Sequence, residues 1–282
     1  MKHNIFRFTQ RAVVCACALL MLACGTTGDG NNTNPNDKPE EDLSFLYIQS
    51  LTQQTDYIVT TSKGPEKKEV YTYDGRKIIK CEWFIDGNLE NTLNYTYDGL
   101  TVTVTDKSGA VVFIREYTDD TYLRVKYHKS AENTTENIYD GAKLVNRKGY
   151  LNNKLIVDEV YVYDGLTATG VIKGYGDDGA IEYFSDITMT YLDETFLRLE
   201  YLEEARVYSD PSNSEHYRQY FIYDGTKRLK TEVEHIDRNG RVWVSYREER
   251  EYNGLKCTAK EYSYDPNGNL NEITTKEILY LE

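Results

Sequence analysis

Residues 95–104 read Tyr95-Thr96-Tyr97-Asp98-Gly99-Leu100-Thr101-Val102-Thr103-Val104, and this stretch decides the fold class. Two tyrosines alternate with polar residues up to an Asp-Gly pair. Beyond the pair, Leu100, Val102 and Val104 occupy one face and threonines the other. Alternation of period two is the mark of a half-buried antiparallel strand. Asp-Gly between two such runs is the strongest short-range hairpin signal, since both residues tolerate positive φ.

The pattern recurs along the chain. Asp-Gly follows tyrosine at Tyr73-Asp74-Gly75, Tyr139-Asp140-Gly141, Tyr163-Asp164-Gly165 and Tyr223-Asp224-Gly225, with Tyr252-Asn253-Gly254 as a variant. Three kinds of unit alternate between these turns. One opens at Ser44, Thr121 and Thr195, a second at Lys77, Lys143 and Lys227, and a third at Leu100, Leu166 and Leu255. Second-unit turns lie at Asp86-Gly87-Asn88, Asn152-Asn153 and Asp237-Arg238-Asn239-Gly240. Third-unit turns lie at Asp106–Gly109, Asp177–Gly179 and Asp265–Gly268. Gly, Asn, Asp and Pro suit these positions through positive φ, self-capping side chains or preset φ. The reading predicts three sequence copies, 44–120, 121–194 and 195–282, each of about three hairpins and about six strands. Fold class is therefore all-β: an antiparallel meander of β-hairpins, as a spiral or open single sheet, with a closed barrel as the alternative. Gly99 is expected in a type I′ turn.

Tyr262-Ser263-Tyr264-Asp265-Pro266-Asn267-Gly268-Asn269-Leu270 resembles a YD repeat, the Tyr-x-Tyr-Asp-x-x-Gly-x-Leu motif of Rhs-type and teneurin-type shells. His235–Val242 and Asp106–Val111 resemble its second half. The Tyr-Asp-Gly sites depart from the motif, because glycine follows aspartate directly. The resemblance implies a spiral sheet of hairpins; it implies no encapsulated toxin, since three copies make too short a shell.

The N-terminus reads as an address. Lys2, Arg7 and Arg11 form a basic region, and Ala12 to Ala23 an apolar stretch too short to span a bilayer. The stretch ends Leu20-Met21-Leu22-Ala23-Cys24, which resembles a bacterial lipobox and makes Cys24 the expected lipid attachment site. Residues 1–23 are read as a lipoprotein signal peptide. Residues 24–42, rich in Gly, Asn and Asp, are read as a disordered tether, because such a run buries too little apolar surface to offset its ordering entropy. Residues 43–282 are the β-hairpin repeat domain. Gly25 after the cysteine resembles lipoproteins sorted to the outer membrane. The expected location is the bacterial cell envelope, anchored through lipid rather than spanning.

Composition narrows the partners. Without Lys2, Arg7 and Arg11 the 33 basic side chains fall to 30 against 46 acidic ones, a net −16. Phosphate binding needs a basic patch, so nucleic acid is excluded as the natural partner. The histidines past the N-terminal segment, His128, His216 and His235, fall in no metal-binding spacing, and there is no Gly-x-Ser-x-Gly elbow or phosphate-binding loop. No catalytic residue, metal ligand or cofactor is assigned. Cys81 and Cys257 are expected to be buried free thiols, too many strands apart to pair.

The 26 tyrosines are the strongest lead to function. Pairs such as Tyr71/Tyr73, Tyr95/Tyr97, Tyr161/Tyr163 and Tyr262/Tyr264 are two residues apart, hence on one strand face. Their recurrence favours a ladder of cross-strand contacts over platforms for sugar rings. Trp83 and Trp243 break the repeat and are the candidate ligand-binding residues. The reading is a binding protein of the envelope, its ligand a glycan or a protein and its membrane contact the N-terminal lipid. An assembly subunit docking through strand edges is the alternative, and a glycan-cleaving enzyme ranks last.

Overall fold

A computed structural model describes residues 48–56, 67–209 and 214–280. The expected signal peptide, Cys24 and the expected tether lie outside them, and β1 is described by its backbone. The described residues form eighteen strands in one sheet. They are β1 (Ile48–Asp56), β2 (Lys67–Asp74), β3 (Lys77–Ile85), β4 (Asn88–Asp98), β5 (Thr101–Thr105), β6 (Val111–Tyr117), β7 (Val125–Ser130), β8 (Asn133–Asp140) and β9 (Lys143–Leu151). Then come β10 (Lys154–Asp164), β11 (Thr167–Tyr175), β12 (Ile181–Tyr191), β13 (Leu199–Tyr208), β14 (Glu215–Asp224), β15 (Lys227–Ile236), β16 (Val242–Asn253), β17 (Lys256–Tyr264) and β18 (Leu270–Tyr280). Six strands fall in each of the three segments read from the sequence.

Every pairing is antiparallel, and all but one join sequence neighbours, which is the expected all-β meander. β1 pairs with β2 on one side and with β18 on the other. The pairings therefore run round all eighteen strands and close, the barrel form among the arrangements the sequence allowed. A round ring of this size, with strands about 4.8 Å apart and tilted by about 40°, has a radius of about 18 Å.

The turns sort to two ends. Hairpins β2–β3, β4–β5, β8–β9, β10–β11, β14–β15 and β16–β17 meet at one end, here called the base. In β4–β5, Asp98 is the last paired residue, opposite Thr101, so the two turn residues are Gly99 and Leu100. Gly99 has φ +56° and Leu100 is not among the residues of positive φ. That corrects the expected type I′ turn to type II′, whose first central residue alone needs glycine. Type I′ turns do occur, at the other end, the rim: Asp86-Gly87 (φ 49° and 78°) and Asn152-Asn153 (φ 51° and 64°).

Period-two alternation gives the wall two faces. The more buried face is the concave one, where side chains converge. It carries Cys81, Leu93, Val102, Val104, Ala168, Ile172, Ile187, Met189, Cys257, Ala259 and Ile278, grouped in three clusters. Small residues such as Val102, Ala168 and Cys257 lie a residue or two from the base turns, where space is least. Nearer the rim the inward residues Trp83, Phe113, His128, Tyr183, His235 and Trp243 are only partly covered. The three clusters thus line the base half of the wall.

The base is also bridged. Loops 118–124 and 192–198 join β6 to β7 and β12 to β13. In each, an aspartate accepts from the threonine two residues on: Asp119 from Thr121 N (3.1 Å) and Asp193 from Thr195 N (2.9 Å). The next residue, Tyr122 or Phe196, has φ near +55°. Its ring packs edge-on against the tyrosine of a neighbouring base hairpin, Tyr97 at 5.0 Å or Tyr163 at 5.3 Å. Thr121, Arg124 and Leu197 are buried. Arg124 Nη2 donates to Thr195 O at 3.2 Å. These loops stand six strands apart, about 29 Å along the wall, so the bond crosses the end of the barrel rather than following its side. The molecule is a cup.

The outer wall is charged in the middle of its strands. Arg218 pairs with Glu203 (3.0 Å), Arg247 and Lys230 with Glu232 (2.8 and 3.0 Å), and Lys126 with Glu116 (2.6 Å). An Arg or Lys facing lipid at mid-depth costs about 2–4 kcal/mol.

Candidate functional site

Trp83 lies on β3 and Trp243 on β16, both facing inward and both close to the rim. Trp83 Nε1 donates to Cys81 Sγ (3.1 Å), two residues along the same face, and the residue is 42% exposed. Trp243 pairs across the ladder with His235, and their rings stack 5.6 Å apart at 26°. The two tryptophans are not brought together. Five strand spacings separate them, about 24 Å round the wall.

Trp243 borders a cavity. It measures about 380 Å³ and opens at the rim of the third segment, lined by Ser214, Glu215, His216, His235, Asp237, Asn239 and Trp243, with Ile236 and Arg238. The loop that frames it is built rigidly. Asp237 N donates to Arg241 O (3.0 Å), and Asp237 Oδ1 accepts from Asn239 N (2.8 Å) and Arg241 N (2.9 Å). Arg241 Nη2 reaches Pro266 O in the next rim loop (2.5 Å). Burial pushes the His235 imidazole below its ordinary pKa, against the pull of Glu215, so near neutral pH the ring beside Trp243 is uncharged. His216 bonds Glu203 Oε1 at 2.7 Å. His128, elsewhere on the rim, is held to about 4 by burial and then by Arg115, whose Nε donates to His128 Nδ1 at 3.2 Å.

The tyrosine pairs behave mainly as scaffold. Tyr97 Oη donates to Ile78 O (2.9 Å), Tyr163 Oη to Leu144 O (3.0 Å) and Tyr252 Oη to Arg228 O (3.0 Å). The same bond thus recurs in each segment, and each ring carries a lysine over its face: Lys77, Lys143 and Lys227 respectively. Tyr95 and Tyr161 continue the inward row, while Tyr262 lies on the outer face, opposite Arg247 and Ile273.

Alternation alone did not reveal the charges on the inner face. Glu159, Glu204 and Glu248 are buried there. Glu159 meets Arg147 and the Tyr161 hydroxyl, Glu204 meets Arg206 (2.6 Å) and Ser185 Oγ (2.6 Å), and Glu248 lies between Arg228 (2.9 Å) and Arg250 (2.6 Å). Each buried carboxylate is matched by a guanidinium, the condition for tolerating a charge out of water. The carboxylates with resolved shifts, Asp106, Asp193, Glu203, Glu232, Glu248 and Asp265, all move downward.

Among the described residues no group of three His, Cys, Asp or Glu side chains is placed to hold a metal ion. Asp265, which alternates with Asn267 and Asn269 as a calcium loop would, instead accepts their backbone N–H groups as a hairpin turn (2.8 and 2.9 Å). Cys81 and Cys257 are free and buried. Ring closure leaves them four strands apart, about 19 Å, still beyond disulfide reach.

No family model matches the chain, and no curated protein matches it. Solved structures with some likeness include a porin-like protein from Bacteroides uniformis ATCC 8492, 13% identical over 83% of this chain and 97% of that one, TM-score 0.42. A porin-like protein from Bacteroides vulgatus ATCC 8482 is 10% identical over 83% and 98%, TM-score 0.40. A Trp-176-Ala mutant of the vaccine antigen Transferrin Binding Protein B from Haemophilus parasuis Hp5 is 9% identical over 83% and 75%, TM-score 0.21. None of these likenesses is close enough to assign a function.

Proposed function

We propose that this chain is a lipid-anchored cell-envelope protein whose barrel binds glycan at its rim and does not cleave it. The observation that carries this is the polarity of the cup. Ile48 pairs with Tyr280, whose N–H bonds Leu255 O in a base turn, so the chain enters the barrel at the base. A lipid on Cys24 and the polar stretch 24–42 then hold the packed base toward the membrane and turn the rim away from it. The partly exposed tryptophans stand at that rim.

The non-catalytic reading rests on a shallow, wet rim, which is poorly suited to acid–base chemistry. The lipobox at Ala23-Cys24 supports the anchor, and its Gly25 supports an outer-membrane address. Docking through free strand edges loses its physical basis in a closed ring, where each strand already has two partners. The YD-repeat relationship rests on Tyr262–Leu270 and the half-matches before it.

Two measurements test the proposal. Cys24→Ala is expected to abolish labelling by a palmitate analogue and to release the protein from membranes; unchanged labelling and fractionation would refute the anchor. Detergent-purified protein is expected to bind members of a glycan panel. Capture of a protein partner with no glycan bound would shift the ligand class.

A further inference from the structure

Resting on the glycan reading above, we propose that the rim cavity of the third segment is a subsite for one neutral hexopyranose ring, stacked on Trp243. The argument starts from the repeat. At the corresponding rim position the other two segments use two-residue turns, Asp86-Gly87 and Asn152-Asn153. Either is enough to reverse the chain. The third segment instead spends residues 237–241 there, the five-residue hairpin loop that also serves at 106–110, 176–180 and 265–269, and ties it to the next rim loop through Arg241 Nη2 and Pro266 O. The fold does not require this length. The cavity sits against that loop.

The lining states the ligand chemistry. Trp243 offers a flat apolar face, held in place by the stacked His235 ring. A pyranose has an apolar C–H face of similar size, and an indole is the side chain that best combines such a face with a wet setting. His235 is uncharged near neutral pH, so the stack neither attracts nor repels a charged sugar by that ring. Around it stand Glu215, Asp237 and Asn239, planar groups that accept from, or for the amide also donate to, hydroxyls on a ring edge. A volume of about 380 Å³ holds one sugar ring with water, at the small end of ligand sites.

The experiment uses the full chain, expressed with its N-terminal segment and purified in detergent. Trp83→Phe leaves Trp243 as the only tryptophan. Its fluorescence is followed during titration with methyl β-D-glucopyranoside, methyl β-D-galactopyranoside and methyl α-D-mannopyranoside, alongside a glycan array with wild-type protein. The expected result is a saturable change with at least one glycoside, weakened about tenfold by Asn239→Ala or Glu215→Gln at unchanged Tm. Trp243→Phe, which leaves Trp83 as reporter, should give no saturable change. If array glycans bind but the Trp243 signal is silent and neither rim variant weakens binding, the subsite is overturned and the wider reading stands. If neither glycosides nor array glycans bind, both fall.

Discussion

Gly99→Val tests the register of the base hairpins. Gly99 stands alone at positive φ in its turn, at +56°, and a Cβ built on it meets no atom within 4 Å. There is no steric contact to relieve, so the whole cost is backbone strain. For an L residue held in this region it is about 1–2 kcal/mol, with a β-branched residue at the upper end. In a domain of this size 1 kcal/mol moves Tm by about 2–4 °C, so a loss of about 2–8 °C is expected. Thr103→Val is the control: it keeps shape and strand preference on the half-exposed face and should stay within about 1 °C, as surface changes of a few tenths of a kcal/mol do. Thermal melts by circular dichroism read both. Equal Tm values for Gly99→Val and wild type would refute the assignment of positive φ to Gly99, and with it the type II′ turn.

Ring closure can be trapped directly. Thr52 lies opposite Glu277 in the β1–β18 ladder, and cross-strand neighbours fall within disulfide reach. A Thr52→Cys/Glu277→Cys variant is expected to form an internal cross-link on mild oxidation, seen as a reducible shift in gel mobility; free thiols under those conditions would count against closure. A second expectation concerns pH. His128 is held at about 4 by burial and by Arg115, against an ordinary 6.5, so the folded state prefers the neutral ring. The unfolded chain takes up a proton first, and stability present above pH 6.5 is lost as pH falls toward 4. His128→Gln should flatten the Tm profile in that window, and a profile of unchanged slope would show that His128 does not titrate this way.

Much of this architecture was legible because it is local. Alternation in Leu100–Val104 and the punctuation at Gly75, Gly99, Gly141, Gly165, Gly225 and Gly254 placed the hairpins, and the free burial of Cys81 and Cys257 followed from their apolar alignment. Closure was not legible to the same degree. A meander carries the same local signals whether open or closed, and the deciding contact, Thr52 with Glu277, joins the two ends of the domain. The turn type was misread because aspartate precedes glycine in both hairpin families; the ordinary residues after the glycine, Arg76 and Leu100 among them, pointed to type II′. At the rim, Trp243 was singled out for breaking the repeat, but His235 and Glu215 were not. Their signal was present in the extra length of Asp237–Gly240 relative to Asp86-Gly87 and Asn152-Asn153. Buried Glu159, Glu204 and Glu248 had weaker signals, since an inward charge is recognisable only once its arginine is placed across the ladder.

The central claim is a rim that binds glycan and leaves it intact. Isothermal titration of the detergent-purified protein with a glycan taken from the array, followed by chromatography of the same sample, tests it most directly. The expected result is saturable heat with the glycan recovered at its original length. Saturable binding followed by shortened glycan, lost when one carboxylate such as Glu215 is changed to glutamine, would contradict it.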